Sequence, residues 1–170
     1  RMLVQGMGDI NYVLIDYKSL SGERNEALSD LILGELKKYK IDYCFSFGNH
    51  ILKGELLKQY KNRIINFHPS LLPAFRGRNA IDQAIEANAF LLGCTAHFID
   101  EGMDTGAVIM QSVMSRDIFG DGDYDSVLQP QIEMIRRIVN LLNSGRIEVV
   151  GNCARIQGAD YSKIRYYPEM

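Results

Sequence analysis

Two polar side chains stand at the end of an apolar run, where chemistry could take place. Asn66 and His68 are two positions apart and follow Ile64 and Ile65. Because side chains alternate along a strand, both would point to the same side, and Pro69 has no N–H with which to continue the strand. An amide and an imidazole would then meet at the edge where open α/β sheets bind ligands, able to hold a ligand and move a proton. The alternative is that His68 caps the strand and Asn66 satisfies a turn.

A second candidate is the acidic segment from Asp100 to Gly106, which reads Asp-Glu-Gly-Met-Asp-Thr-Gly. It lies between two predicted strands, and its glycines allow a tight path. Its carboxylates could serve a site, but taken alone the composition favours a solvated turn.

The surrounding elements alternate between strand and helix. Predicted strands cover Tyr12–Ile15, Asp42–Phe47, Ile64–Phe67, Thr95–Ile99, Ala107–Val113 and Ile147–Val150, and predicted helices cover Glu26–Lys40, Glu55–Tyr60, Ala80–Ala87 and Tyr124–Leu142. This alternation is typical of an α/β fold with a doubly wound, mostly parallel sheet covered on both faces. The glycine-flanked loop after Ile99 indicates that the strands on either side of it form a hairpin-like pair.

The chain is predicted to consist of one domain, residues 1–150, and a polar, aromatic tail with little regular pattern, residues 151–170. It begins with Arg1, and the residues that follow, Met2–Met7, would be the end of a helix. Because α/β domains of this type usually open with a strand and its helix, we expect at least one βα unit before Arg1. Residues 1–150 would then be incomplete at their N-terminus.

Composition argues against several classes of protein. The 170 residues carry a net charge of −2 with acids and bases interspersed, which argues against a broad nucleic-acid surface. No apolar run is long enough to cross a membrane. Cys44, Cys94 and Cys153 are far apart, so we expect buried thiols in a reducing cytoplasm rather than a disulfide or a zinc site.

Two blocks of the sequence resemble the folate-dependent formyltransferase family. The first runs Asn-Phe-His-Pro-Ser-Leu-Leu-Pro, from Asn66 to Pro73. The second has the family's order and spacing at Gly93, Thr95, His97, Asp104 and Gly106. The similarity extends from Asp42 to about Glu148 and is greatest to the branch that formylates phosphoribosylglycinamide in purine synthesis.

The resemblance implies a Rossmann-like formyltransferase domain that passes a formyl group from the cosubstrate 10-formyltetrahydrofolate to a primary amine, without a metal. Asn66 would donate an N–H to the oxyanion of the tetrahedral species. His68 would donate to the same oxygen or carry the proton from the attacking amine to the leaving amine. Asp104 would hold the His68 ring in one tautomer and organise a water molecule.

The resemblance also implies a site for the donor. The residues expected around the pterin of 10-formyltetrahydrofolate are Asn49, His50, Ile51, Leu52, Leu57, Ile99, Asp100, Glu101, Gly102 and Met103. Backbone amides suit this role, because the pterin edge presents a fixed row of donors and acceptors. Plain core packing is the alternative for Ile51, Leu52 and Leu57, and His97, inside a strand, is given a structural part.

The acceptor side departs from the purine-synthesis branch. The residues expected there are Arg76, Arg78 and Gln129. The arginines can bind a phosphate bidentately, and a solvated basic turn is the alternative. Arg76-Gly77 is more like the branches that formylate amino sugars on nucleotides or the methionine of initiator tRNA.

Several functions therefore stay open. Formylation of phosphoribosylglycinamide is the first choice, followed by formylation of an amino-sugar nucleotide, hydrolysis of 10-formyltetrahydrofolate, and folate binding without turnover. The step His68-Pro69 matches transferases rather than hydrolases. We expect the partner to be a small-molecule amine, not a membrane or a nucleic acid, and the protein to be cytoplasmic. A homodimer is one alternative for its assembly.

Overall fold

The computed structural model describes residues 12–119, 126, 128–163 and 167. The helices are α1 (Arg24–Lys38), α2 (Glu55–Gln59), α3 (Ala80–Glu86) and α4 (Pro130–Asn143). The strands are β1 (Cys44–Ser46), β2 (Ile64–His68), β3 (Leu91–Phe98), β4 (Val108–Ser115), β5 (Ile147–Val150) and β6 (Cys153–Ile156). The predicted helix end at Met2–Met7 and the start of the predicted helix at Tyr124 lie outside the described residues. Each helix in these ranges is too short or too polar to span a membrane.

The strands form one six-stranded sheet in the order β1-β2-β3-β4-β6-β5. β1 and β2 pair in parallel, as do β4 and β6, whereas the other three pairings are antiparallel. Strands β1, β2, β4 and β6 therefore run in one direction, and β3 and β5 run against them. The predicted α/β, Rossmann-like fold is confirmed: the sheet is mixed, and it is mostly parallel in the sense that four of its six strands run in one direction. β3 and β4 form the predicted hairpin, because the link between Phe98 and Val108 is too short for a parallel crossover.

Both faces of β2 are covered. Ile65 and Phe67 are buried with Ile138 of α4 on one face, and Ile64 is buried with Leu56 of α2 on the other. Burial of an apolar side chain of this size contributes about 1.5–3 kcal/mol. Slipping β2 by one residue would send each set to the wrong face, so the packing of α2 and α4 fixes the register of the strand.

The predicted strand Tyr12–Ile15 is wrong. The segment belongs to none of the strands in the described part of the chain, and Tyr12 and Leu14 are 86% and 88% exposed. An apolar run becomes a strand only when a neighbour takes up its backbone hydrogen bonds. No described strand pairs with this run, which local apolarity could not reveal.

The prediction of little regular pattern after residue 150 is also wrong in part. Cys153–Ile156 forms β6, which lies between β4 and β5 in the sheet. A two-residue turn, Gly151-Asn152, joins β5 to β6, and Gly151 has a φ of 60°. This dipeptide between two short runs is a hairpin signal, so local turn chemistry was sufficient to predict the strand.

Candidate active site

Asn66 and His68 lie at the carboxyl end of β2, on the face that also carries Ile64. β3 runs antiparallel beside them, and its register pairs Asn66 with His97 and His68 with Thr95. Directly paired residues of neighbouring strands point to the same face. The structure therefore adds a second histidine and a threonine to the predicted pair.

The ring of His68, which is 5% exposed, is held between two oxygen atoms. Nδ1 lies 3.3 Å from Oδ2 of Asp104, and Nε2 lies 2.8 Å from the carbonyl oxygen of Phe75. Both oxygens are acceptors, so the ring satisfies one of them when it is neutral and both when it carries two N–H groups. Each ring nitrogen of His68 therefore faces an oxygen that can accept an N–H.

Asp104 reaches His68 from the loop between β3 and β4. Asp100 organises this loop, because its Oδ1 accepts the Gly102 N–H at 3.1 Å and the Thr105 hydroxyl at 2.7 Å. Asp104 has a φ of 53°, a left-handed conformation that aspartate visits more readily than most residues. The solvated turn that the composition favours is present only in part: residues 100–103 are exposed, whereas the Asp104 side chain points inward and is 15% exposed.

Hydrogen-bond donors surround the Asp104 carboxylate. Gly77 donates its backbone N–H to Oδ2 at 2.9 Å, and the rings of His68 and His97 lie 3.3 and 3.6 Å away. Burial acts to raise the pKa of Asp104, but the contact with His97, the Gly77 N–H and the charges of the two histidines lower this pKa by more. Asp104 is therefore ionised near neutral pH and places a negative charge beside His68.

His97 is a site residue whose contacts the sequence does not predict. It is 2% exposed, and its Nδ1 lies 2.9 Å from the Phe98 carbonyl oxygen. Its Nε2 lies 3.3 Å from Asn66 Nδ2 and 3.6 Å from Asp104 Oδ1. Without a proton Nε2 accepts from Asn66, and with one it donates toward Asp104, so it serves one neighbour at a time. His97 therefore links the amide to the carboxylate.

Strand alternation could have found His97, but only together with the register of β2 against β3, which no local pattern contains. Although two histidines flank Asp104, the described residues hold no group of three or more His, Cys, Asp or Glu side chains placed to bind a metal ion.

The segment that follows His68 is anchored by Thr95, which is fully buried. The Thr95 hydroxyl donates to the Ser70 carbonyl at 2.6 Å and accepts the Leu72 N–H at 3.0 Å. Gln111 donates to the same hydroxyl and to the Leu72 carbonyl, at 2.9 Å in each case. Each such bond contributes about 1 kcal/mol net, and together they fix the path of the chain from His68 into the next loop.

Arg76 and Arg78 lie on the loop between β2 and α3. Both are exposed, and they flank Gly77, which has a φ of 82°. Gln83 of α3 donates to the backbone carbonyls of both arginines, at 3.3 and 2.7 Å. The structure therefore brings the two arginines to the loop that contacts Asp104 and leaves their side chains at the surface.

Gln129 lies apart from this group. It is exposed and immediately precedes α4, which covers the face of the sheet opposite Asn66. Within the described ranges it makes no hydrogen bond with Arg76, Arg78 or the three catalytic candidates. The structure does not bring Gln129 to the predicted acceptor site, because helix periodicity indicates a buried side but not the face of the sheet that the helix covers.

Half of the predicted donor residues line one cavity. Leu57, Ile99, Asp100, Glu101 and Gly102 border a cavity of about 530 Å³, a volume within the range of ligand pockets. Leu57 is also 6% exposed and packs in the core, so core packing is confirmed for it, and contact with the donor stays a prediction. The cavity adjoins the loop that carries Asp104.

The other predicted donor residues do not line this cavity. They are Asn49, His50, Ile51, Leu52 and Met103. His50 stacks on Tyr17 with ring centroids 3.9 Å apart, and Ile51 and Met103 are 49% and 58% exposed. Plain core packing is therefore wrong for Ile51, whereas Leu52 packs against the core cluster of α1 and α2.

Comparison with known proteins gives three sequence likenesses. A family model described as formyl transferase matches residues 9–129. The chain is 39% identical over 102 residues to phosphoribosylglycinamide formyltransferase of Bacillus subtilis, which covers 59% of this chain and 52% of that protein. It is 34% identical over 111 residues to formyltetrahydrofolate deformylase of Escherichia coli, which covers 64% of this chain and 38% of that protein. The chain spans about half the length of the Bacillus relative and less of the Escherichia one.

The fold is also that of a solved structure. Glycinamide ribonucleotide transformylase 1 from Symbiobacterium toebii superposes with a TM-score of 0.70 and 32% identity, over 76% of this chain and 63% of that one. The chain is therefore similar to these proteins in sequence and in architecture.

Proposed function

The chain belongs to the formyl transferase family, and from that premise we propose that the protein transfers a formyl group from 10-formyltetrahydrofolate to a primary amine. One observation carries the proposal. Asn66 and His68 come from one segment and Asp104 from another, and contacts of 3.3–3.6 Å through His97 and His68 join them at the carboxyl end of β2.

In the first step the amine nitrogen attacks the formyl carbon, which forms a C–N bond and leaves negative charge on the formyl oxygen. Asn66 donates an N–H to this oxygen. Its Nδ2 faces Nε2 of His97; when this nitrogen carries no proton it accepts one amide hydrogen, and the other is directed away from it. A donor held in place before the reaction contributes about 100- to 1000-fold, or roughly 2.7–4 kcal/mol.

In the second step the bond between the formyl carbon and the folate nitrogen breaks. The attacking amine loses one proton, and the leaving nitrogen gains one. We assign this transfer to His68, whose Nδ1 lies beside Asp104 and whose Nε2 faces the Phe75 carbonyl. Asp104 stays ionised, since its pKa is lowered, and so supports a charged ring without taking the proton. A positioned acid–base group contributes roughly 100- to 10,000-fold.

The donor would lie along the loop between β3 and β4, with its pterin in the cavity bordered by Leu57 and Ile99. Both ends of this loop line the cavity, and Asp104 between them contacts His68. This arrangement supports the proposal, because a donor held by the loop would keep its formyl group near the histidine. The backbone amides of Asp100 to Gly102 would read the edge of the pterin.

For the acceptor we propose phosphoribosylglycinamide, the compound that the names of the Bacillus and Symbiobacterium relatives contain. Hydrolysis of 10-formyltetrahydrofolate is the second candidate. The likeness to the Escherichia deformylase supports it, since water can replace the amine at the same three side chains.

The test is turnover of 10-formyltetrahydrofolate by the full-length protein, measured without acceptor, with phosphoribosylglycinamide, and with amino-sugar nucleotides. Tetrahydrofolate production that depends on phosphoribosylglycinamide supports the proposal. Formate release without acceptor identifies a hydrolase. A formylated product with an amino-sugar nucleotide, and none with phosphoribosylglycinamide, identifies the amino-sugar nucleotide as the acceptor. Binding of the donor without turnover in any arm contradicts the catalytic proposal.

A further inference from the structure

A row of three polar side chains crosses the sheet from the catalytic histidine to a glutamine on the third strand. The register pairs His68 of β2 with Thr95 of β3, and Thr95 with Gln111 of β4. Directly paired residues point to the same face, so all three lie on the face that carries Asn66. Gln111 is the exposed end of this row. It therefore lies two strands away from His68 and in line with it.

The loop that follows β2 returns to the ring of His68. Residues 69–75 leave the end of β2, and the Phe75 carbonyl oxygen at their far end lies 2.8 Å from Nε2 of His68. A hydrogen bond weakens steeply as its distance and angle depart from the optimum. The orientation of the ring therefore depends on the path of residues 69–75, and not only on Asp104.

Packing alone does not hold residues 69–75. A cavity of about 170 Å³ lies between this loop and α3, lined on one side by Leu71 and Phe75 and on the other by Ile81 and Ala84. Side chains that border a cavity have no contact atoms on that side and lose the attraction those atoms would supply. The loop has room to shift toward the cavity unless hydrogen bonds hold it.

Those hydrogen bonds converge on Thr95 and Gln111. The Thr95 hydroxyl donates to the Ser70 carbonyl at 2.6 Å and accepts the Leu72 N–H at 3.0 Å. Nε2 of Gln111 donates one hydrogen to this hydroxyl and one to the Leu72 carbonyl, each at 2.9 Å. Since a hydroxyl has one hydrogen and two lone pairs, the Thr95 hydroxyl is fully used. Loss of the Gln111 amide would remove two of the bonds that hold the loop.

The Ser70 side chain extends this support to the far end of the loop. Ser70 is 3% exposed, and its hydroxyl donates to the Ala74 carbonyl at 2.7 Å. Ala74 immediately precedes Phe75, whose carbonyl faces His68. A continuous series of hydrogen bonds and one peptide link therefore connects Gln111 to the acceptor of the His68 ring.

We propose that Gln111 is a positioning residue of the reaction, which holds residues 69–75 so that the Phe75 carbonyl orients the ring of His68. The inference rests on the proposed function and adds a residue to it. Gln111 does not border the cavity assigned to the donor. Its loss should therefore slow the step that His68 serves and leave binding of the donor unchanged.

The first test follows the His68 ring itself in the full-length protein. Gln111→Leu removes both donated hydrogens at similar side-chain size, and it should shift the ring nitrogen NMR signals of His68. Gln157→Leu is the matched control, since Gln157 is exposed just after β6, and it should leave these signals in place. Unchanged His68 signals in Gln111→Leu would overturn the inference, whether or not the protein turns over a substrate.

The second test is steady-state formyl transfer with 10-formyltetrahydrofolate and phosphoribosylglycinamide. In Gln111→Leu and in Gln111→Glu, whose carboxylate cannot donate, kcat should fall roughly 5- to 30-fold. The KM for the donor should stay within about twofold of normal, because a positioning residue affects the transition state more than ground-state binding. Gln157→Leu and Gln157→Glu should keep normal kcat. A raised KM with normal kcat in the Gln111 variants would contradict the proposal.

A His68→Ala background decides whether Gln111 acts through the histidine. Adding Gln111→Leu to His68→Ala should cause little further loss of the residual rate, because two changes on one path are not additive. A further loss as large as in the unaltered protein would show that Gln111 acts elsewhere. Shifted His68 signals in Gln111→Leu, with no formylated product even from the unaltered protein, would contradict the proposed function alone.

Discussion

Nδ2 of Asn66 lies 3.3 Å from Nε2 of His97, across the pairing of β2 with β3. The two residues are 31 positions apart in the chain. Because His97 is buried and its other nitrogen faces the Phe98 carbonyl, its ring is a fixed support for the Asn66 amide. The amide that would meet the formyl oxygen is therefore oriented before any substrate binds.

Asn66→Ala should reduce formyl transfer about 100- to 1000-fold, because one oxyanion donor is lost. Single-turnover rates with saturating donor measure this loss. Asn143→Ala, at the exposed end of α4, is the matched control and should react at the normal rate. A rate within about threefold of normal for Asn66→Ala would remove Asn66 from the mechanism.

His97→Leu should lower kcat while leaving the KM for 10-formyltetrahydrofolate nearly unchanged, since His97 acts by positioning Asn66 and Asp104. We expect kcat to fall roughly 10- to 100-fold, because a hydrogen bond worth about 1–3 kcal/mol is no longer made. His97→Gln retains a polar group that can face Asn66 and should recover part of kcat. Equal kcat in the two variants, with equal stability by thermal unfolding, would limit His97 to core packing.

Gly77→Ala should separate stability from activity when it is compared with Gly145→Ala. The φ angles are 82° and 62°, so each alanine should cost about 1–2 kcal/mol of unfolding free energy. Gly145 has no atom near the position of an added Cβ, whereas Gly77 meets the flexible end of Met103. Rotating φ at Gly77 also turns its N–H away from Asp104.

We therefore expect similar losses of stability in urea unfolding for the two glycine variants, but a loss of formyl transfer of about tenfold or more only for Gly77→Ala. Equal activity in the two variants would show that the Gly77–Asp104 hydrogen bond does not matter to the reaction.

The pH dependence of stability should report on Asp104. Its pKa in the folded protein is lowered below the ordinary 3.8, so folding favours the ionised carboxylate. The stabilisation is fully present above the pKa of the unfolded chain and is lost as pH falls through the lower pKa of the folded state.

The difference in unfolding free energy between the unaltered protein and Asp104→Asn should therefore be larger at about pH 5 than at pH values below about 4, where the Asp104 carboxylate is protonated. Chemical denaturation across this range measures it. A difference that grows as the pH falls would mean that the pKa of Asp104 is raised, which would contradict the hydrogen bonds assigned to its carboxylate.

Local sequence patterns determined the parts of the site that lie on single elements. Three local features were enough to predict a strand end with two polar side chains on one face. They are the apolar run before Asn66 and His68, the proline after it, and the alternation of side chains between the two faces of a strand. The short glycine-flanked link likewise predicted the β3–β4 hairpin. These features depend on backbone geometry within a few residues, which is why they can be read without a fold.

Tertiary structure alone decided how those parts meet. The register of β2 against β3 brought His97 to Asn66, and the path of the loop between β2 and α3 brought Gly77 to Asp104, 27 positions away. It also left Tyr12–Ile15 without a strand partner among the described residues. Register and loop closure depend on contacts between distant segments, whose energies are set by packing on both faces of the sheet. The residue types of the site are therefore local information, whereas the hydrogen bonds that orient Asn66, His68 and Asp104 come from the fold.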